Sequence, residues 1–255
     1  MMMNTGSEKS ILYALFILLL SITGMSACSS SLSDEKITDI SLLAADIEIT
    51  QNPEDKAANS VVVTLKDKRG HRISNDSVSI IVNGVERQVQ HRQGLYYSNE
   101  SVYTFPDVPV VETYTVEIKL ADGTTSLLGT INALREEQEA NIICQERGDL
   151  NSDFIISWKN MQDIDELSIF MSVLQKNSPP NEKNYGYKPE KIIKIGRNGH
   201  YTIPKSSYVD DSTIISGLEF DFRTTKSGIT NPKLLPASKI TIQTLMEKNV
   251  NFEEE

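Results

Sequence analysis

The sequence has few of the side chains that carry out chemistry: three histidines, two cysteines and one tryptophan among 255 residues. His71, His91 and His200 lie at or next to predicted turns, and no two have a metal-ligand spacing such as H-x-x-x-H. There is also no G-x-S-x-G nucleophile elbow, phosphate-binding loop or Rossmann glycine pattern. We therefore expect surface histidines and a protein that is not an enzyme.

Positive charge is also scarce. The chain has 25 Lys and Arg against 35 Asp and Glu, which gives a formal net charge of −10. Binding to nucleic acid depends on clustered Lys and Arg that displace counterions, and adhesion to anionic lipid depends on the same residues. The composition therefore argues against a nucleic-acid partner and against attachment to a membrane by charge.

The N-terminus has the pattern of a secretory signal peptide. Residues 11–20 are apolar and uncharged, and residues 21–27 are mostly small or weakly polar. The run ends in Met-Ser-Ala-Cys at residues 25–28. This tetrapeptide resembles the lipobox of bacterial lipoproteins, with Met25 at the position where Leu is commonest.

The resemblance implies cleavage between Ala27 and Cys28 and covalent attachment of lipid to Cys28. Two or more acyl chains give stable anchoring, at about 0.8 kcal/mol for each buried CH₂ group. Ser29, rather than Asp, follows the cysteine, which by the same resemblance favours the outer membrane. Two alternatives stay open: an uncleaved membrane anchor, which needs roughly 20 apolar residues, and ordinary cleavage that leaves Cys28 unmodified.

Lipid on Cys28 would leave Cys144 without an intramolecular disulfide partner. Cys144 lies in an apolar-leaning run, so we expect a buried, unreactive thiol. The residues that follow Cys28 are small and polar, and we expect residues 28–44 to form a flexible tether.

The rest of the chain has the periodicity of strands. Short β-branched runs recur between turn signals such as Asn83-Gly84, which is typical of β-sandwiches. Residues 134–140 are the most helix-like stretch, and a charged loop is an equal alternative for them. The predicted strands are residues 60–65, 78–82, 113–120, 126–131, 154–159, 167–174, 191–195, 200–204, 218–224 and 240–246.

The predicted fold class is all-β, with two tandem immunoglobulin-like sandwiches. The runs around residues 63–82 resemble immunoglobulin-like modules of bacterial surface proteins. Residues 154–247 resemble fibronectin type III-like domains, in which a Trp, here Trp158, packs between the sheets. The expected organisation is a signal peptide (1–27), a tether (28–44), a first sandwich (45–147), a linker (148–153), a second sandwich (154–250) and an acidic tail (251–255).

One loop has the oxygen spacing of a cation site. Asp149, Asn151 and Asp153 alternate as calcium ligands do, and the loop partly resembles those of EF-hand and dockerin modules. It departs from them at Phe154, where the turn needs Gly, and at Asn160, where a bidentate Glu belongs. A polar linker without metal is the favoured interpretation, and an interdomain Ca²⁺ clip is the alternative.

Two other groups of residues could form sites. Tyr96, Tyr97, Tyr103 and Phe105 could offer ring faces to a glycan, although aromatic residues in strands usually pack in cores or in cross-strand pairs. Acidic turns bring together carboxylates that, by sequence proximity alone, give only weak support to acid–base catalysis. These carboxylates are Asp163, Asp165, Glu166, Asp210 and Asp211.

The leading hypothesis is therefore an exported, lipid-anchored envelope protein with a non-catalytic binding or structural role and an unknown protein or glycan partner. An accessory subunit of an envelope assembly or transport machine is the main alternative. A hydrolase built on sandwich loops is a third, and it would depend on a cleft in which carboxylates and a histidine converge.

Overall fold

The structure is a computed structural model that describes residues 30–53, 55, 57–93, 99–177, 179 and 182–252. Cys28 and Ala27 lie outside the described residues. Of the described residues, 53% lie in strands and 6% in helical turns, which confirms the all-β class. Within the described ranges, no helix has the length and apolar character needed to cross a membrane.

The strands are numbered in chain order, and the helical segments are single 3₁₀ turns. Their bounds are β1 Ala44–Thr50, β2 Asn59–Lys66, β3 Ser79–Val82, β4 Val85–Arg87, β5 Gln90–Gln93, β6 Asn99–Val108, β7 Thr113–Lys119, β8 Thr125–Asn132, β9 Ile142–Ile143, β10 Arg147–Gly148, β11 Phe154–Trp158, β12 Glu166–Gln175, β13 Tyr185–Tyr187, β14 Lys191–Lys194, β15 Gly199–Ile203, β16 Thr213–Ser227, β17 Ile229–Thr230 and β18 Lys239–Phe252.

The first sandwich packs β1-β2-β6-β5 against β8-β7-β3-β4. This is the strand order of an immunoglobulin-like domain, A-B-E-D facing G-F-C with one added strand. Alternation along β2 sends Val61, Val63 and Leu65 into the core, where β7 contributes Tyr114 and Val116 from the opposite sheet. The predicted hairpin of β7 and β8 is confirmed.

The second sandwich repeats this order, with β9-β11-β15 facing β18-β16-β12 and both β13 and β14 pairing with the outer edge of β12. Trp158 packs between the sheets as predicted, 6% exposed and edge-on to Phe222 with ring centroids 5.8 Å apart. Its indole N–H donates to the carbonyl of Gly196 at 2.9 Å. A Cβ on Gly199 would lie 2.5 Å from the Trp158 ring, so this packing requires glycine there.

The long hairpin of β16 and β18 belongs to both sandwiches. Ile240 and Ile242 of β18 lie in the first core, whereas Met246 and Val250 of the same strand lie in the second. Residues 239–243 of β18 pair in parallel with β1, and residues 241–251 pair with β16. Between the two strands, β17 adds to the edge of β8 and Leu234 is buried in the first core. One hairpin therefore extends both sheets of the first sandwich.

One expectation differs from the structure. Residues 30–44 of the expected tether pack on the first sandwich, because Ile37, Ile40 and Leu43 are buried in its core. Residues 134–138 form no helix, and a single 3₁₀ turn covers Glu139–Asn141, so the loop alternative describes this stretch better. The domain boundaries stay a prediction, with the addition that residues 234–242 supply side chains to the first core.

Buried polar groups hold the connector between the sandwiches, which comprises residues 133–141 between β8 and β9. The backbone N–H of Leu134 donates to Gln51 at 3.0 Å, and the Gln51 amide donates to the Leu134 carbonyl at 2.8 Å. Glu137, 2% exposed, accepts from the backbone N–H groups of Gln162 and Asp163 at 2.6 and 2.9 Å. These hydrogen bonds keep the connector extended, because a helix would point the same groups elsewhere.

Asp163 joins the connector to the long hairpin. Its carboxylate accepts two hydrogen bonds from the Arg135 guanidinium, each 3.1 Å long, and also contacts the Lys226 ammonium. Burial alone would raise the pKa of Asp163, but the hydrogen bonds from Arg135 and Lys226 hold that pKa well below its usual range.

We predict that Ile242→Ala destabilises the first sandwich although Ile242 lies near the C-terminus. The substitution leaves a cavity in the first core and should cost about 2–5 kcal/mol. Hydrogen exchange of the β1 amides should quicken, because Ile242 pairs with Ile49 of β1. Leu245→Ala on the same strand, 41% exposed, is the control and should change stability by about 0.5 kcal/mol or less. Equal effects of the two substitutions would contradict this assignment.

We predict that Asp163→Asn lowers the free energy of unfolding by about 1–3 kcal/mol at pH 7, because charge-assisted hydrogen bonds are lost. An Asp in the unfolded chain has a pKa of about 3.9, and the pKa of Asp163 in the folded protein lies below that value. The advantage of the wild type is thus complete above the unfolded pKa and disappears as the pH falls through the folded pKa.

Urea unfolding at a series of pH values measures this difference. Asp211→Asn, at an exposed aspartate, is the matched control and should show no such convergence. A wild-type advantage of constant size from pH 7 to pH 2 would contradict the role given to the Asp163 carboxylate.

Candidate functional site

Two exposed tyrosines mark the outer edge of the second sandwich. Tyr185 and Tyr187 flank Gly186 on β13, with 59% and 75% of their surfaces exposed. Side chains two residues apart share one face of a strand, so both rings lie on the same side of the sheet. Tyr187 pairs with Ser172 and Tyr185 with Leu174 of β12. Exposure of two large rings on one short strand is the first sign of a binding surface.

Beside Tyr187 is a shallow depression of about 150 Å³. Phe170 and Ser172 line it from β12, and Gly217 of β16 lies at its base. A Cβ on Gly217 would lie 2.9 Å from the Ser172 hydroxyl and 3.2 Å from the Val250 carbonyl. The close packing of Ser172 and Val250 at this point therefore requires glycine.

Polar side chains surround this depression on the neighbouring strands. Glu219 follows Gly217 by two residues on β16, and Asn249 and Asn251 lie opposite these positions on β18. Among the residues that the structure describes, these three side chains make no hydrogen bond or ion pair. One carboxylate and two amides are thus available to a ligand next to an exposed ring.

A second depression of about 360 Å³ lies beside Tyr185. Leu174 and Ile214 give it apolar walls, while Lys183 and Ser216 supply polar groups. The Ser216 hydroxyl donates to the Ser172 hydroxyl at 3.0 Å, and Ser172 also lines the first depression. We call the two depressions together the tyrosine face. It comprises Tyr185, Tyr187 and the residues named above that line the two depressions.

A further depression of about 470 Å³ lies between β12 and β15, lined by Ile169, Met171 and Tyr201. Its cations already have partners. Lys191 contacts the Tyr201 hydroxyl, with its ammonium 4.9 Å from the ring centroid, and Lys188 forms an ion pair with Asp210. This depression has fewer free polar groups than the tyrosine face.

The loop predicted as a calcium alternative is a hydrogen-bonded turn. Asp149 accepts from the Asn151 N–H at 2.8 Å and from the Ser152 hydroxyl at 3.0 Å. Asp153 accepts from the Lys205 N–H at 2.9 Å, and the Lys205 ammonium donates to the Asn151 carbonyl at 3.0 Å. The hydrogen bonds from Asn151 and Ser152 lower the pKa of Asp149. The Lys205 ammonium thus lies beside one of the oxygens that the calcium alternative would use.

The structure separates the remaining candidates. Tyr103 and Phe105 are buried in the first core, whereas Tyr96 and Tyr97 lie outside the described residues. Cys144 is half-buried rather than fully buried as expected, and burial raises the pKa of its thiol. Among the described residues, no three His, Cys, Asp or Glu side chains come together as metal ligands.

The histidines and acidic turns have separate surroundings. His71 lies 3.4 Å from Asp67, His200 is exposed on β15, and His91 lies on β5. Glu166 pairs with both Lys194 and Arg223, and Asp210 pairs with Lys188. Asp165 and Asp211 are exposed. Of the carboxylates in the acidic turns, Glu166 and Asp210 are thus paired with basic side chains.

Comparisons with known proteins give only distant likenesses. No protein-family model and no curated protein sequence matches the chain. Similar solved structures include chicken CNTN1 FN1–FN3 domains, at 11% identity over 80% of this chain and 64% of that one, with a TM-score of 0.28. The Yersinia pseudotuberculosis adhesin InvE matches at 12% identity over 84% and 61%, with a TM-score of 0.25.

A third is SGBP-B of a Bacteroides ovatus mixed-linkage glucan utilization locus, in complex with a heptasaccharide. It matches at 13% identity over 87% of this chain and 65% of that one, with a TM-score of 0.18. These scores are too low to support a functional argument, and the architecture described above depends on the strand order alone.

We predict that Asp149→Ala lowers stability by about 1 kcal/mol through loss of the turn's hydrogen bonds. Millimolar Ca²⁺ should leave the melting temperature of both wild type and variant unchanged, since the loop oxygens accept hydrogen bonds within the chain. Differential scanning calorimetry with Ca²⁺ and with a chelator makes the measurement. A Ca²⁺-dependent rise in the wild type that Asp149→Ala abolishes would restore the calcium alternative.

Proposed function

We propose that this chain is a lipid-anchored, non-catalytic binding protein of the cell envelope that presents the tyrosine face to its ligand. The observation that carries the binding role is the pair of exposed rings, Tyr185 and Tyr187, beside polar side chains that have no partner among the described residues. Anchoring is supported by the lipobox-like Met-Ser-Ala-Cys at residues 25–28 and by the preceding apolar run. Ser29 supports the outer membrane as the destination.

The position of Ser30 supports an orientation. Its hydroxyl donates to Asp67 at 2.8 Å, and Asp67 directly follows the last residue of β2. Only two peptide units separate Cys28 from Ser30, which is a reach of about 7 Å. Lipid on Cys28 would therefore hold this end of the first sandwich close to the bilayer.

The second sandwich joins the first at the opposite end. β1 ends at Thr50 and β8 at Asn132, and the hydrogen bonds between Gln51 and Leu134 follow directly after these two strands. The antiparallel partners of β1 and β8 are β2 and β7, and both of these end on the side of the first sandwich where Ser30 lies. β1 and β8 therefore end on the opposite side, and the connector leaves the first sandwich there. Anchoring at Cys28 would point the second sandwich and its tyrosine face away from the membrane.

One observation favours an accessory role in an envelope assembly as the second candidate. Ile143 of β9 and Ile155 of β11 are 51% and 50% exposed on the outer face of the second sandwich's other sheet. Ile143 pairs with Ser157, two residues from Ile155, so the two side chains are diagonal neighbours. This spot suits contact with a protein partner. It would be the candidate function if Ile155→Asp released an envelope protein that wild type retains.

We predict that Cys28→Ala releases the protein from the membrane. In wild type, the mature chain should begin at Cys28, carry the mass of its acyl groups and partition into detergent, because each buried CH₂ contributes about 0.8 kcal/mol to anchoring. Intact mass and membrane fractionation measure both properties. Cys144→Ala, at the only other cysteine, is the matched control and should behave as wild type.

Equal mass shifts and equal fractionation for wild type and Cys28→Ala would contradict the anchoring. Loss of the lipid in Cys144→Ala but not in Cys28→Ala would show instead that the lipid is attached to Cys144.

A further inference from the structure

We propose that the tyrosine face binds a neutral oligosaccharide whose sugar rings lie along β13. This inference deepens the proposed function and rests on it, because it names the ligand class of the same surface. The face combines what a sugar needs: an exposed aromatic ring for the apolar side of a pyranose and convergent hydrogen-bonding groups for its hydroxyls.

Tyr187 supplies the ring. It is 75% exposed in a strand, although a large aromatic side chain in a strand is normally packed. A ligand that covers it would bury apolar area without needing the protein to rearrange, because β12 fixes the backbone of β13 by pairing at Ser172 and Leu174. Gly217, which has no side chain, lies at the base of the adjacent depression, so no side chain from this position projects towards the ligand.

Glu219, Asn249 and Asn251 supply the hydrogen bonds. Amides both donate and accept, and a carboxylate accepts, which matches hydroxyl groups that do both. None of the three has a side-chain partner among the described residues, so binding breaks no internal hydrogen bond. The Ser172 hydroxyl lies in the same depression and adds a fourth group.

Charge argues against an anionic ligand. Glu219 is the one charged side chain that lines the Tyr187 depression. Farther along the same outer surface, two more carboxylates, Asp221 on β16 and Glu247 on β18, lie opposite each other in the strand register. Lys183 is the one cation that lines the Tyr185 depression. A phosphate or uronate would meet a surface with excess negative charge, whereas a neutral sugar meets no such penalty.

The spacing argues for a chain of sugars rather than a single ring. Tyr185 and Tyr187 are two residues apart on one strand, so their Cα atoms are separated by about 7 Å. Each ring borders its own depression, and the linked hydroxyls of Ser172 and Ser216 lie where the two depressions adjoin. A ligand that reaches both depressions must extend along β13.

Affinity gel electrophoresis of the full chain tests the proposal, with glycogen, dextran, laminarin, hydroxyethylcellulose and galactomannan as neutral polymers. Calorimetry with a hexasaccharide of the retained polymer then gives the Kd. Tyr187→Ala should weaken binding by about tenfold or more, as expected for a central aromatic contact. Asn249→Ala and Asn251→Ala should weaken it several-fold, and Tyr187→Phe should retain most of the affinity.

Thr202→Ala is the matched control, because Thr202 is exposed on β15 in the opposite sheet of the same sandwich and should leave the Kd unchanged. Trp158 fluorescence reports whether each variant keeps the second sandwich folded. Binding that persists unchanged in both Tyr185→Ala and Tyr187→Ala would overturn the proposal, as would failure of every neutral polymer to retard the wild type.

Binding of a polylysine probe in preference to the neutral polymers would also overturn it, since the rings and Glu219 would then form a cation site. These outcomes are separate from the anchoring test. A chain that is lipidated at Cys28 and binds no sugar would keep the proposed attachment and lose only this ligand assignment.

Discussion

Strand β18 pairs with β1 through residues 239–243 and with β16 through residues 241–251, so its backbone hydrogen bonds run through both sandwiches. Ile242 and Met246, four residues apart, lie in different hydrophobic cores. An unpaired sheet edge is a liability in a small sandwich. Here the hairpin of β16 and β18 covers the edge of β1, and β17 between them covers the edge of β8.

This shared hairpin sets the geometry on which the functional proposals depend. A flexible linker would let two sandwiches turn independently, but a strand common to both restricts that motion, and the ion pairs of Asp163 with Arg135 and Lys226 add to it. An attachment near Ser30 at one end and the tyrosine face beyond the other end then become parts of one platform. Rigid placement of a binding surface limits the ordering cost of binding.

Local patterns predicted much of the fold. Alternation in residues 113–120 and 218–224 correctly indicated β7 and part of β16, and Trp158 marked the second core. The extent of β18 was not predictable in this way. Residues 240–246 alternate like any strand, and nothing local shows that one end pairs with β1, nearly two hundred residues earlier in the chain.

Two segments could not be assigned from local sequence alone, for similar physical reasons. Residues 29–36 are polar, but Ile37, Ile40 and Leu43 follow them and find a core that only tertiary structure supplies. Residues 134–140 have helical propensity, yet the buried Glu137 and the contacts of Leu134 with Gln51 override it. Tyr185 and Tyr187 escaped notice because a Tyr-Gly-Tyr run does not reveal which side of a strand is covered.

The shared hairpin should couple the two sandwiches into one cooperative unit. Trp158 is the only tryptophan and lies in the second core, so its fluorescence reports on that sandwich alone. Ile47→Ala removes a buried side chain from the first core and should cost about 2–5 kcal/mol. The coupling predicts that this substitution lowers the urea midpoint of the Trp158 signal together with that of circular dichroism. A Trp158 midpoint that stays at the wild-type value while the first sandwich unfolds earlier would contradict it.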